Sequence, residues 1–185
     1  HTGSNPGVDR FGYFESIYSV LADYRGGRPR ILPERFFAEL RILDGGWGEG
    51  TQFELRVKEF GGMRTIRAIV SEPVPGRVLI ETDLLTGSEI RYELRDEGVN
   101  VRATIRARME YGYDVPVGER LLAMLNLRRA FHAELKQLER VVRGFEAGRR
   151  EAGSGFAPGG SHRWGSVKRP PALSPSAVSR FVEAP

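Results

Sequence analysis

Acid–base chemistry in a protein needs titratable side chains where water is scarce, within hydrogen-bond reach of a substrate. This 185-residue sequence has few specialised ones. It has no Cys, which excludes thiol catalysis, disulfide scaffolds and cysteine-ligated zinc or iron–sulfur sites. Of its three His, His1 and His162 lie in terminal stretches, so no metal centre and no cofactor are expected. His132 is the remaining imidazole. It stands beside Phe131 at the border of an apolar stripe, where a solvated side chain is the commoner outcome. Glu81 and Asp83 alternate with Ile80 and Thr82, so they share one face of a strand. Paired carboxylates can divide acid and base roles, but exposed strand carboxylates facing Arg are the more frequent arrangement. No nucleophile–base–orienter triad can be assembled.

Two further patterns suggest phosphate or nucleic acid, and both fail on context. The run Gly46-Trp47-Gly48-Glu49-Gly50-Thr51 looks like a phosphate loop, yet such loops must open a helix. This one enters an alternating strand and reads as a strand turn. An Arg ladder (Arg56, Arg67, Arg91, Arg95, Arg102, Arg106, Arg108) lines one sheet face, interleaved with Glu54, Glu89 and Glu93 rather than with stacking aromatics. Cross-strand ion pairs are the better account. The net charge of +4 belongs mostly to residues 144–185, which hold six basic and three acidic side chains. No specific nucleic-acid binding is expected.

The elements that would position these groups follow from periodicity. Apolar residues make up 40% of the chain and charged residues 28%, as in a globular domain with a real core. Residues 15–24 carry Ile17, Val20 and Leu21 at helical spacing and end at Gly26-Gly27. Pro33-Glu34 can open a second short helical turn. From 38 to 111 the period is two: Phe53, Leu55 and Val57; Ile66, Ala68 and Val70; Ile90, Tyr92 and Leu94; Val101 through Met109. With turn residues between the runs, this predicts about six strands in an antiparallel meander. Leu121, Met124, Leu127, Phe131, Leu135, Leu138, Val142 and Phe145 then trace one long helical stripe, with Arg129, Glu134, Lys136, Glu139 and Arg140 opposite. Residues 149–185 read as a disordered Gly/Pro/Ser/Arg tail. Residues 1–14 are broken by Pro6, Gly7 and Gly12 and read as an N-terminal segment, either a truncated first strand or a scar. The domain is expected over 15–148. No secretory signal opens the sequence and no apolar run approaches the roughly 20 residues of a membrane span, which predicts a cytoplasmic protein without a transmembrane segment.

Two N-terminal helices, a curved antiparallel sheet and a long C-terminal helix describe an α+β helix-grip fold. Specific strings fit it: Leu21-Ala22-Asp23-Tyr24-Arg25, Ile31-Leu32-Pro33-Glu34-Arg35-Phe36 and Gly45 through Thr51. Ser71 through Leu79, with Glu81 and Asp83, and Leu127 through Leu135 continue the pattern. Over about 15–146 the chain resembles the SRPBCC superfamily, nearest its polyketide cyclase/dehydrase-like branch, related to START lipid-transfer and birch-pollen-allergen proteins. The resemblance implies a cavity between sheet and C-terminal helix that binds a hydrophobic small molecule such as a lipid or polyketide. Alternation nominates its lining: Phe53, Leu55, Ile66, Val70, Ile90, Tyr92, Ile105 and Met109 from the sheet, with Met124, Leu127 and Phe131 from the helix. The same residues would equally fill a solid core. An inward Tyr92 hydroxyl needs a partner, either a ligand oxygen or an internal carbonyl. Whether the chain is an enzyme stays open: the alternatives to binding are a polyketide aromatase/cyclase or dehydratase, and a non-catalytic interaction scaffold.

Overall fold

The computed structural model describes residues 6–59, 62–98, 100–110, 115–154 and 178–183. Helix α1 (Pro6–Ala22) leads through a tight turn to the five-residue α2 (Gly27–Ile31). Six strands follow in order, β1 (Phe37–Asp44), β2 (Gln52–Glu59), β3 (Gly62–Val74), β4 (Val78–Asp83), β5 (Glu89–Asp96) and β6 (Val101–Arg108). Each pairs antiparallel with the next, so the expected meander is present. Helix α3 (Val117–Ser154) comes next, and β7 (Val178–Glu183) adds to the far edge of the sheet, parallel to β6.

The alternation seen in the sequence sorts the two sheet faces. Phe53, Leu55, Ala68, Val70, Leu79, Tyr92, Leu94, Ala103 and Ile105 are buried. The other face is wet and carries much of the Arg ladder in ion pairs, with Arg95 at 2.7 Å and Arg91 at 3.6 Å from Glu93, and Arg108 3.4 Å from Glu89. Phe131, Leu135, Leu138 and Val142 of α3 are buried in the same core as Ile17, Val20 and Leu21 of α1. Each large apolar side chain fully withdrawn from water in this way stabilises the fold by about 1.5–3 kcal/mol.

Both ends of the chain differ from expectation. The N-terminal segment is not a truncated strand: α1 starts at Pro6, where the fixed proline φ suits the first turn of a helix and the missing N–H costs nothing. At the other end, α3 runs to Ser154, and Val178–Glu183, within the stretch read as disordered, pairs with Val101–Arg106. With the described N-terminal residues in a helix rather than a strand, the β6 backbone edge is covered by the C-terminal segment. Residues 155–177 lie outside the described residues.

The loop Gly45–Thr51 is a clamp rather than a phosphate cradle. The Tyr24 N–H donates to the Gly46 carbonyl at 3.0 Å and the Gly48 N–H to the Ala22 carbonyl at 2.9 Å, tying the end of α1 to the β1–β2 turn. Gly46 has φ 125°, and a Cβ there would strike the Arg25 side chain. The turn into α2 is just as tight. Asp23 accepts from the N–H groups of Gly26 (3.0 Å) and Gly27 (2.9 Å), while a Cβ on Gly27 would lie 2.6 Å from the Val20 carbonyl oxygen. That contact is with backbone, which cannot swing aside. Gly27→Ala is therefore expected to cost about 1–3 kcal/mol, a Tm lower by roughly 3–10 °C. Gly144→Ala, on α3 with open space around it, should be neutral or raise stability by about 0.5–1 kcal/mol. Parallel thermal melts of the two variants check this, and equal behaviour would contradict the close approach of α1 and α2.

Candidate functional site

The tight turn at Asp23–Gly27 delivers one charged side chain into the interior. Arg28 is 3% exposed, and its guanidinium meets a carboxylate from the sheet and another from α3. Its Nη2 and Nε donate to Glu81 Oε1 at 3.0 and 3.2 Å. Nη1 donates to Glu134 Oε1, and Nη2 also donates to the Tyr92 hydroxyl. The Tyr24 hydroxyl donates to Glu81 Oε1 at 2.8 Å. The guanidinium carbon lies 4.3 Å from the Tyr92 ring centroid, a cation–π contact, and the Tyr24 ring stacks on Phe53 at 5.1 Å. Five polar groups from α2, the α1–α2 turn, β4, β5 and α3 thus form one buried network.

Its electrostatics are unbalanced. One cation faces two carboxylates in a medium that penalises uncompensated charge. Burial raises the Glu134 carboxyl above its ordinary 4.5, with Arg28 opposing and Glu81 adding to the rise. Burial and the Glu81 charge push the Tyr24 hydroxyl well above 10, so it stays protonated. Burial does the same to Tyr92, against the pull of Arg28. Burial alone would weaken the Arg28 charge, but Glu134 and Glu81 together hold it firmly protonated. The cluster can therefore hold a proton on Glu134 and present a fixed positive charge beside two hydroxyls.

The structure brings together most of the residues nominated from the sequence. Phe53, Leu55, Val70, Tyr92, Ile105 and Phe131 are buried in one apolar cluster, and Ile66, Ile90, Met109 and Leu127 pack against it half-buried. Met124 is half-buried and stands outside that cluster. The exposed-carboxylate expectation is corrected. Glu81 and Asp83 are both buried, because they alternate inward with Leu79. Asp83 is structural: it accepts from the Leu85 N–H (2.9 Å) and the Thr86 hydroxyl (2.8 Å) and shapes the β4–β5 turn. Glu134 is corrected too, at 1% exposed rather than on the outer helix face. It lies three residues after Phe131 and four before Leu138, within the inward stripe. The Tyr92 hydroxyl accepts from Arg28 rather than meeting a backbone carbonyl. Arg28 carried no signal in the sequence, since it follows two glycines and precedes Pro29 outside any periodic run. Glu81 was legible from the alternation of β4.

The sheet-and-helix arrangement has a solved counterpart. The NMR solution structure of the KanY protein (ms6282) aligns over 70% of this chain and 89% of its own, at 23% identity and a TM-score of 0.59. The chain has an α+β helix-grip fold. No protein-family model matches the chain, and no curated protein matches it. Among the described residues, no helix is long and apolar enough to cross a membrane.

The helix-grip interior makes two measurements informative. Arg28→Met leaves two buried carboxylates without their cation and should cost about 3–5 kcal/mol in urea unfolding. Glu134 adds a pH signature. Its proton is held more tightly in the folded chain, so its contribution to stability is complete below about pH 4.5 and is lost as pH rises through the folded-state value. Relative to wild type, Glu134→Gln should gain stability progressively with rising pH over that window. A constant difference between the two urea midpoints from about pH 4 to 8 would contradict the raised carboxyl.

Proposed function

We propose that this chain binds a hydrophobic small molecule that carries an oxygen, in the space between sheet and α3. The observation that carries the reading is the charged cluster beside an apolar cluster whose outer members are only half-buried. Ile90 pairs with Glu81 across β4 and β5 and lies two residues from Tyr92 on the same strand, about 7 Å along it. Leu127 lies seven residues before Glu134, about 10 Å along α3. Both are half-buried, and beyond them Leu121, Leu122 and Leu125 are exposed. An apolar body seated against Ile66, Ile90, Met109 and Leu127 would thus meet the hydroxyl of Tyr92 and the charge of Arg28 at its inner end. The resemblance to SRPBCC proteins of the polyketide cyclase/dehydrase-like branch supports the same class of ligand, a lipid or polyketide.

A second reading, acid–base turnover of such a ligand, is favoured by Glu134. A buried carboxyl whose proton is held more tightly than that of a solvated Glu can protonate a substrate oxygen, and Arg28 would stabilise the charge that develops. Cyclisation or dehydration of a polyketide chain would use those two functions.

The ligand contact is tested with 2-naphthol and naphthalene, which share an apolar body and differ by one hydroxyl. Both should bind the wild-type protein, and Leu127→Trp, which adds bulk at a half-buried position of α3, should abolish both while leaving the Tm within a few degrees. Tyr92→Phe should weaken 2-naphthol by about 1 kcal/mol and leave naphthalene unchanged. Absence of binding, or equal loss for both compounds, would count against the proposal.

A further inference from the structure

A concave site lies on the outer side of α3, away from the buried cluster. The α2–β1 loop and the middle of α3 enclose a groove of about 600 Å3, within the size range of small-molecule sites. Pro33, Phe36 and Ala133 provide its less exposed apolar surface. Arg35, Arg128, Arg129 and Lys136 surround it as exposed cations, with the exposed imidazole of His132 among them. Among the described residues, no carboxylate lines it.

The charge pattern differs from that of the outer sheet face around Glu93 and of α3 near Glu139. On the outer sheet face, Arg91 and Arg95 both lie against Glu93, and farther along α3 Arg143 pairs with Glu139 at 2.6 Å. None of Arg35, Arg128, Arg129 and Lys136 forms an ion pair among the described residues. Four like charges around one concavity repel one another, and a bound anion would relieve that repulsion. The Arg35 guanidinium is also held over the Phe36 ring, 4.9 Å from its centroid, which sets a planar donor fork beside the apolar floor.

We propose that this groove binds a phosphate monoester on an apolar body. A carboxylate offers one charge and two oxygens, enough for a single guanidinium. A phosphate monoester offers nearly two charges and three terminal oxygens, enough for several. Pro33, Phe36 and Ala133 would hold the organic part, so inorganic phosphate makes only half of the contact. The site is independent of the interior reading, since none of its lining residues belongs to the buried cluster.

The test is a titration of the 15N-labelled full chain with 1-naphthyl phosphate at low salt, beside inorganic phosphate. Saturable shifts are expected at the amides of Phe36 and of residues 128–136, with Ile90 and Tyr92 unmoved, and inorganic phosphate should bind about tenfold more weakly. Arg35→Gln and Arg129→Gln, both at exposed positions, should each weaken 1-naphthyl phosphate by about fivefold. Arg95→Gln on the sheet should change nothing. Shifts confined to Ile90, Tyr92 and Leu127 would overturn the proposal, as would an equal loss in Arg95→Gln or no preference over inorganic phosphate. Tighter binding to a single-stranded oligonucleotide or to vesicles containing phosphatidic acid would overturn it in favour of a polyanionic partner.

Discussion

A guanidinium withdrawn from water must find all its acceptors in the protein, and Arg28 finds them on elements far apart in the chain. Glu81 is 53 residues away and Glu134 is 106 residues away. The charge therefore joins α2 to the middle of the sheet and to the middle of α3 at one point. Its neighbours are arranged around that requirement. Asp23 holds the amides that start α2, Gly27 lets α2 approach the Val20 backbone, and Gly46 receives the Tyr24 amide. The first two contacts are local and the third ties the end of α1 to the β1–β2 turn, and each sets the position from which Arg28 reaches inward.

Burying such a group does not by itself make a protein more stable, because desolvation offsets most of the Coulomb attraction. Its consequence is geometric. An apolar helix face packed on an apolar sheet can slip or rotate at modest cost, since dispersion contacts are weak and interchangeable. A carboxylate that must meet both a guanidinium and a tyrosine hydroxyl cannot slip without leaving charge unpaired in a low-dielectric interior. The excess negative charge of the cluster then falls on its most buried carboxylate, Glu134, which takes up a proton more readily than a solvated Glu. Structural restraint and acid character thus arise from the same arrangement.

Helix α3 divides its 38 residues between unlike environments. From Phe131 to Val142 its inward face is sealed in the core. Nearer its start, leucines are exposed, and the apolar surface they share with Leu127 leads toward the cluster. Its outer face over residues 128–136 is basic and concave where the α2–β1 loop comes alongside. The loop is placed there by the same α2 that carries Arg28, so the interior network and the outer groove have a common anchor.

Much of the architecture follows from local rules. Period-two alternation between turn residues produces β1 to β6 in sequential antiparallel order, because adjacent strands joined by short turns have little choice of partner. The 3.6-residue stripe ending in Val142 and Phe145 makes α3. The apolar residues nominated from the sequence, apart from Met124, lie in or against one cluster, since periodicity fixes which side chains point inward. What the residues did not declare was the polar content of that interior. Charge alone put Glu134 outside, although its spacing from Phe131 and Leu138 puts it inside, and Arg28 sits in no periodic pattern at all. The extension of α1 back to Pro6 and the edge strand β7 likewise depend on which surfaces and edges remain uncovered once the rest has folded. By itself the sequence determined the elements, their order and their apolar faces, because propensity and periodicity act between near neighbours. Only the tertiary structure decided where the charges meet, because a buried ion pair is settled by partners from distant segments that become neighbours after packing.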